Sequence, residues 1–222
     1  MTCYTSEKND SAHVVADLPA LRDILGLVDW TGRTKDNVGH AGRFSATQQI
    51  ESDIIRVLNN FFVHSAAQIT ECDSNSYGCN GGYTESAFKY VQKPGGLESD
   101  ADYPDGSALN SSGSGTCTMS SNRFNSQVTI SGCTALSGED TMASYVQSAG
   151  PHSICVDASN LELRIMKSCG QSIDHCVQAV GVKTHSHGYW KIRRLRRIRL
   201  HLPCLQRQDY VTPVAFGTSK QN

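Results

Sequence analysis

Cysteine and histidine are the residues of this chain that offer the most chemistry. The 222 residues include nine cysteines and eight histidines. Cysteines at this density indicate either disulfides in an oxidising compartment or metal ligation. The groups available for zinc are Cys169, His175, Cys176, His185, His187 and Cys204. Their spacing fits none of the paired patterns of structural zinc sites, so we expect no metal.

A second concentration of reactive residues lies in the stretch Glu71 to Tyr83, where two cysteines stand among turn-forming residues. Taken alone, this stretch is explained equally well as a Gly/Asn-rich turn cluster and as part of a functional site. Other short motifs along the chain decide between the two interpretations. They are Leu18–Pro19, Val28–Trp30, Phe44–Thr47, Gly95–Glu98, Asp102–Pro104, Gly150–Pro151, Val156–Ala158, Cys169–His175, Ala179–Gly181 and Tyr189–Arg193.

These motifs stand in the order found in mature papain-like cysteine peptidases, which the chain resembles from about Leu18 to its C-terminus. The resemblance implies an α+β fold with a cleft between two halves. Residues 18–120 would form a mostly helical half and residues 121–222 a mostly β, barrel-like half. Residues 1–17 would be a polar lead, the end of a propeptide. The implied chemistry is peptide-bond hydrolysis by a thiolate that a histidine activates, in a monomer without a cofactor.

The catalytic positions implied by the resemblance match only in part. His175 corresponds to the general-base histidine, and the surrounding motifs favour this role over that of a core residue. Ala41 stands where the family has its nucleophilic cysteine, at the start of a helix that would stabilise a thiolate. Arg194 stands where an asparagine orients the imidazole, and the oxyanion glutamine has no counterpart. We therefore predict that the chain as written does not cleave peptides.

The resemblance also implies a peptide-binding surface. The backbone of Gly81 and Gly82 would pair with an extended peptide. The remaining substrate-binding residues would be Tyr83, Thr84, Cys155, Ile173 and Asp174. The first four of these carry no charge, so their pocket would prefer an apolar side chain. The implied disulfides are Cys72–Cys117 and Cys169–Cys204.

Two disturbed segments are compatible with a shifted reading frame. Val38 to Arg43, with the last base of the Asn37 codon, can be encoded by bases that read Cys-Gly-Ser-Cys-Trp-Ala in a neighbouring frame. This is the family's catalytic motif. Ile198 to Pro203 can likewise conceal Ser-Gly-Tyr-Ile. Two hypotheses stay open: a displaced reading of an active peptidase, or a pseudopeptidase that binds peptides or proteins in its cleft.

Composition argues against several other classes of function. A net charge of -1 gives no general attraction to nucleic acid. Lys191 to Leu200 contains six basic residues in ten, but one such run in a neutral chain is weak support for a binder of nucleic acid or acidic surfaces. No apolar run reaches membrane-spanning length. The first residues lack a signal peptide, whereas the resemblance suggests a lysosomal, vacuolar or secreted protein.

The pattern of apolar residues predicts the elements that would position these groups. Three- and four-residue spacing predicts helices over Gly42 to Asn60, Thr84 to Gln92 and Gly138 to Gln147. Strands are predicted for Gln127 to Ser131, Ser153 to Val156 and Cys176 to Val182. Helices therefore dominate the first half and strands the second, as in α+β proteins.

Overall fold

A computed structural model describes residues 21–22, 27–29, 42–58, 62–93, 96–104, 116–119, 128–157, 173–183, 189–194, 197–202, 210–213 and 216–217. The helices are α1 (Gly42–Leu58), α2 (Ala66–Cys72), α3 (Thr84–Val91) and α4 (Glu139–Ser148), with a 3-10 turn at Gly78–Asn80. The strands are β1 (Leu21–Arg22), β2 (Leu27–Asp29), β3 (Thr129–Ile130), β4 (Cys133–Leu136), β5 (His152–Val156), β6 (His175–Lys183), β7 (Tyr189–Arg194), β8 (Arg197–Leu202), β9 (Tyr210–Pro213) and β10 (Phe216–Gly217).

The three predicted helices and the predicted strands β3, β5 and β6 are confirmed, with ends within two residues wherever both sides of a boundary are described. Helix α2 was not predicted. Its sequence signal is Ser65, whose hydroxyl accepts a hydrogen bond from the Gln68 backbone N–H at 3.0 Å and so caps the helix. Seven residues give too little periodicity to reveal such a helix without its cap.

Strand β6 is the centre of the main sheet. The six strands are all antiparallel, in the order β1-β2-β6-β7-β8, with β5 also paired to β6. Strands β2 and β5 pair with different parts of β6, at Gly181–Lys183 and His175–Ala179. A segment from the start of the chain thus completes a sheet of the second half. Two short pairs, β3 with β10 and β4 with β9, lie outside this sheet.

Helix α1 lies between two apolar cores. Its residues Ala46, Ile50 and Ile54 pack into a helical core with α2, α3 and neighbouring segments. The members of this core from outside α1 are Ile69, Ala87, Phe88, Val91, Leu97, Val128 and Ile130. The second core joins α4 to the sheet through Met142, Val146, Ile154, Val156, Val177, Ala179, Val182, Trp190 and Ile192. The fold is therefore α+β, as predicted, and Val128 and Ile130 pack with the helical half although they follow residue 120.

A row of buried hydrogen bonds joins α1 to β5 and β6, and we call it the polar seam. It consists of Ser45, Gln48, Gln49 and Ser52 on α1, and Pro151, Ser153, Val177 and Gln178 on the sheet side. Every side chain from Phe44 to Ile54 is buried, so the helix can use polar residues here only if they find partners. The two ends of the Gln49 amide do so: Nε2 donates to Pro151 O at 3.0 Å, and Oε1 accepts from Ser153 N at 2.6 Å.

Asp53 places a carboxylate beside the seam. Its oxygens accept hydrogen bonds from Gln49 Nε2 and Arg56 Nη1, both at 2.8 Å, and the side chain is 2% exposed. Burial raises the pKa of Asp53 from 3.8 to about 6, against the opposing effects of Gln49 and Arg56. His152 on β5 is also buried, and burial lowers its pKa to about 3. The two groups therefore make opposite contributions to the pH dependence of stability.

Replacing Gln49 by alanine should destabilise the fold by about 3 kcal/mol or more, because the buried Ser153 N–H and Pro151 carbonyl would lose their partner. Urea unfolding followed by circular dichroism measures this loss. Gln92→Ala is the matched control, since Gln92 is exposed and its replacement should change stability by about 0.5 kcal/mol at most. Equal urea midpoints for Gln49→Ala and Gln92→Ala would contradict the role of the polar seam in stabilising the fold.

Replacing Asp53 by asparagine should remove a pH-dependent contribution. Because burial raises the folded-state pKa of Asp53 to about 6, its contribution to stability is complete below about pH 3.8 and is lost as the pH rises through 6. Wild type should therefore gain about 2 kcal/mol relative to Asp53→Asn between pH 7 and pH 4. Paired urea titrations at both pH values test this, and His152, common to both proteins, cancels in the difference. If the difference in unfolding free energy between wild type and Asp53→Asn is the same at both pH values, the raised pKa of Asp53 is refuted.

Candidate functional site

The N-terminal turn of α1 lies against the start of β6. Ser45, one turn into the helix, donates a hydrogen bond from Oγ to the carbonyl oxygen of Val177 at 2.7 Å. Its Oγ also lies 2.5 Å from Ser153 Oγ on β5. The helix and this part of the chain run in opposite directions. Ser45 therefore lies beside Ser153, whereas Arg56, later in α1, lies beside Gly150, which precedes β5. The first turn of the helix therefore faces the ends of β5 and β6 that carry Val156 and His175.

His175 is the first residue of β6 and is partly exposed. Its register partner on β5 is Val156, whose carbonyl oxygen also accepts a hydrogen bond from the Asp174 backbone N–H at 3.3 Å. The Asp174 side chain is exposed, and that of Ile173 is partly buried. The backbone of His175 is thus placed by the end of a paired strand, two residues before Val177, whose carbonyl oxygen contacts Ser45 of α1.

The two other positions of the predicted catalytic set are described less fully. Ala41 immediately precedes the first residue of α1 in the sequence and lies outside the described residues. Arg194 is the last residue of β7, and its backbone pairs with Arg197 of β8. The neighbouring Arg193 is buried, at 7% exposure. The basic run therefore contributes to the sheet and, at Arg193, to its interior.

The predicted binding residues Gly81, Gly82 and Tyr83 form one loop ahead of α3. The Gly81 carbonyl accepts a hydrogen bond from Tyr77 N at 2.9 Å, and Gly81 adopts a φ of 120°, which favours glycine. The ring of Tyr83 is 71% exposed, whereas Thr84, the first residue of α3, is buried at 4%. The loop therefore offers backbone and an aromatic ring to solvent, and Thr84 belongs to the interior.

Asp73 stabilises the segment that leads into this loop. Its carboxylate accepts hydrogen bonds from Asn75 N at 3.1 Å and from Ser76 Oγ at 2.5 Å, as in an Asx turn. Ser76 in turn packs so closely on Gly82 that a Cβ there would lie 2.6 Å from its Oγ. A shallow depression borders the loop, lined by Ile69, Thr70, Ser76, Gly78, Gly81, Gly82, Tyr83 and Ala87.

Two disulfides occur among the described residues, and they serve different parts of the fold. Cys72–Cys117 is the pairing that the resemblance implies, and it joins the end of α2 to the segment beside Tyr103. Cys155–Cys176 was not predicted, although Cys155 was assigned to the specificity pocket. It links directly opposed residues of β5 and β6, next to His175. Cys133 is a free thiol, and Cys169 and Cys204 lie outside the described residues.

The predicted site residues thus form two groups with α1 between them. Gly81, Gly82, Tyr83 and Thr84 belong to the helical part, whereas Cys155, Ile173, Asp174 and His175 surround the start of β6. Sequence reasoning missed Ser45, Gln49 and Gln178, which hold the helix to the sheet. The sequence did contain one indication of this contact. Ser45 and Gln49 are polar residues four positions apart within an otherwise apolar helical pattern.

The described part of the chain contains neither a metal cluster nor a membrane-spanning helix. Among those residues, no three His, Cys, Asp or Glu side chains are arranged to hold a metal ion. The helices there are also too short or too polar to cross a bilayer.

Known proteins share both the sequence pattern and this architecture. The family model described as papain family cysteine protease matches residues 32–194. Relatives include the probable cysteine protease RDL2 of Arabidopsis thaliana, 30% identical over 183 residues, which are 75% of this chain and 49% of that protein. Another is cathepsin L2 of Homo sapiens, 25% identical over 217 residues, which are 87% of this chain and 63% of that protein.

The solved structure of the bromelain protease from Ananas comosus, in complex with the E64 inhibitor, has a TM-score of 0.71. It is 21% identical and covers 89% of this chain and 100% of the bromelain chain, so the likeness establishes the fold. The chain spans about half the length of the first curated relatives that it matches, at 49% and 56%. On the extent of the family match and the agreement in fold, the chain belongs to the papain family of cysteine proteases.

Proposed function

We propose that this chain binds peptides in a papain-like cleft and, as written, does not cleave them. The observation that carries the proposal is the hydrogen bond from Ser45 to Val177, because it brings the first turn of α1 beside the strand of His175. A cysteine just ahead of that turn would face the histidine in an active peptidase. The residue there in sequence is Ala41, which has no nucleophilic atom.

The proposed ligand is an extended peptide or protein segment. The loop of Gly81 and Gly82 supports this because its backbone groups can pair with an extended chain without interference from side chains. Tyr83 offers an exposed ring for apolar contact. Around the start of β6, Ile173 and the Cys155–Cys176 disulfide are uncharged, so we expect a preference for an apolar side chain there. The protein would act as a monomer and without a cofactor.

We propose an oxidising compartment, lysosomal or vacuolar or outside the cell, as the working environment. Two disulfides among the described residues support this, because reducing compartments keep thiols free.

Restoring the thiol should restore the reactivity of the site. Ala41→Cys should become alkylated at residue 41 by an epoxide probe for catalytic thiolates, whereas the parent chain should gain no adduct there. Mass spectrometry of peptides locates the adduct and separates it from labelling at Cys133. Adding His175→Ala should slow alkylation at residue 41 by about 100-fold, because the imidazole promotes the thiolate.

Arg194→Asn in the Ala41→Cys background should accelerate the same reaction, because an asparagine would orient the imidazole. An Ala41→Cys thiol that reacts no faster than Cys133, with or without His175, would refute the proposed site.

Transcript sequencing across codons 34 to 47 distinguishes the two origins of Ala41. Bases that read Cys-Gly-Ser-Cys-Trp-Ala in another frame support a displaced motif, and their absence supports a pseudopeptidase.

Gly82→Ala should weaken peptide binding by about tenfold or more, because the new Cβ would lie 2.6 Å from Ser76 Oγ and 2.8 Å from Ser76 Cβ. Calorimetric titration with a blocked apolar tetrapeptide measures the change. Ser76→Gly combined with Gly82→Ala removes the clash and should recover much of the affinity. Gly132→Ala is the control, since its Cβ would meet only Gln92 Nε2 at 3.8 Å. Unchanged binding in Gly82→Ala would argue against this loop as a peptide-binding element.

A further inference from the structure

The start of β6 forms the end of its ladder with β5. The pairs of Cys155 with Cys176 and of Val156 with His175 are the last two register pairs of that ladder. The next residue, Val177, is also held from α1, because its carbonyl oxygen accepts the hydrogen bond of Ser45. Terminal pairs of a ladder open at a lower free energy than interior ones, because fewer hydrogen bonds and contacts are lost. This is the segment that must hold the imidazole in a fixed position.

The Cys155–Cys176 disulfide closes this end of the β5–β6 ladder. The opposed pairs Ser153 with Gln178 and Cys155 with Cys176 lie two residues apart along the ladder, so they share one face of the sheet. Ser153 and Gln178 bind α1 through the polar seam, which makes this the face towards the helix. Contacts with α1 run from Arg56 back to Ser45 as the chain runs from Gly150 to Ser153 of β5. The disulfide therefore continues this row towards the N-terminal end of α1.

We propose that the Cys155–Cys176 disulfide is the positioning element of the candidate site. It fixes the start of β6 to β5 one residue from His175, so that the imidazole keeps a constant place relative to α1 and to the bound peptide. The inference rests on the proposed peptide-binding function and adds its regulation: affinity depends on the oxidation state of this pair. A dithiol reductant would supply two electrons and two protons, yielding two cysteine thiols and the oxidised cyclic reductant.

The location of the Cys155–Cys176 disulfide favours a role in positioning His175 over a role in global stability alone. Cys155 and Cys176 are both partly exposed, whereas Ser153 and Gln178 in the same row are buried under α1. The pair thus lies at the surface of the site, where a reductant can reach it. The Cys72–Cys117 disulfide lies in the other part of the fold, beside Tyr103, and provides a matched comparison.

The experiment compares three double variants with wild type. Cys155→Ser with Cys176→Ser opens the link, and Cys155→Val with Cys176→Val replaces it by an apolar cross-strand pair that packs without a covalent bond. Cys72→Ser with Cys117→Ser removes the other disulfide. NMR titration of histidine ring signals, with His175 assigned through His175→Gln, reports the imidazole environment. Calorimetry with a blocked apolar tetrapeptide reports affinity, and circular dichroism reports folding.

Both Cys155/Cys176 variants should change the chemical shifts and titration midpoint of His175 and weaken peptide binding by about tenfold, the scale expected from loss of preorganisation. The Cys72/Cys117 variant should keep the His175 titration of wild type. Treating wild type with dithiothreitol should reproduce the effect of the Cys155/Cys176 variants, and the same treatment of those variants should leave the His175 titration unchanged.

If Cys155→Val with Cys176→Val keeps the His175 titration and the peptide affinity of wild type, the proposal is overturned, because packing alone would then hold the strand. An unchanged His175 titration in the serine pair would overturn it as well. Failure of both pairs to fold would assign the disulfide to global stability and equally refute a positioning role. If wild type binds no peptide, the proposed function fails, and the His175 titrations alone then decide whether the disulfide positions the imidazole.

Discussion

The polar seam between α1 and strands β5 and β6 is the interaction on which the rest of the structure depends. From Phe44 to Ile54, helix α1 is buried on all sides, with an apolar side towards the helical core and a polar side towards the sheet. Buried polar groups cost free energy unless each has a partner, so the hydrogen bonds of Gln49 and Gln178 specify one relative placement of helix and sheet. An apolar contact of the same area would tolerate small shifts along the helix axis.

That placement creates the candidate site. The seam aligns α1 with β5 and β6 so that the helix N-terminus meets the strand ends carrying Val156 and His175. On its other side, the helix packs through Ile50 and Ile54 on the core that contains Ile69 and Ala87, two residues that also line the depression beside the glycine loop. One helix therefore packs against both parts of the fold that carry the candidate binding residues.

One disulfide and two ionisable groups belong to this arrangement. The Cys155–Cys176 disulfide joins β5 to β6 one residue from His175. Asp53 is buried beside the seam with Arg56 and Gln49, and its raised pKa favours the folded state as the pH falls. His152 opposes this trend because its buried imidazole stays neutral when the unfolded chain takes up a proton. The balance of the two groups moderates the effect of acid on stability.

Local sequence determined helices α1, α3 and α4, strands β3, β5 and β6, and the family. Apolar residues at three- and four-residue spacing predicted α1, α3 and α4, because a helix must bury one side, and ordered motifs indicated the papain family. Tertiary structure alone decided that β2 pairs with β6, that Cys155 opposes Cys176 and that Ser45 reaches Val177. These contacts join residues up to 156 positions apart, as between Leu27 and Lys183. Periodicity within one segment cannot encode them, because strand register and partner depend on how all surfaces pack together.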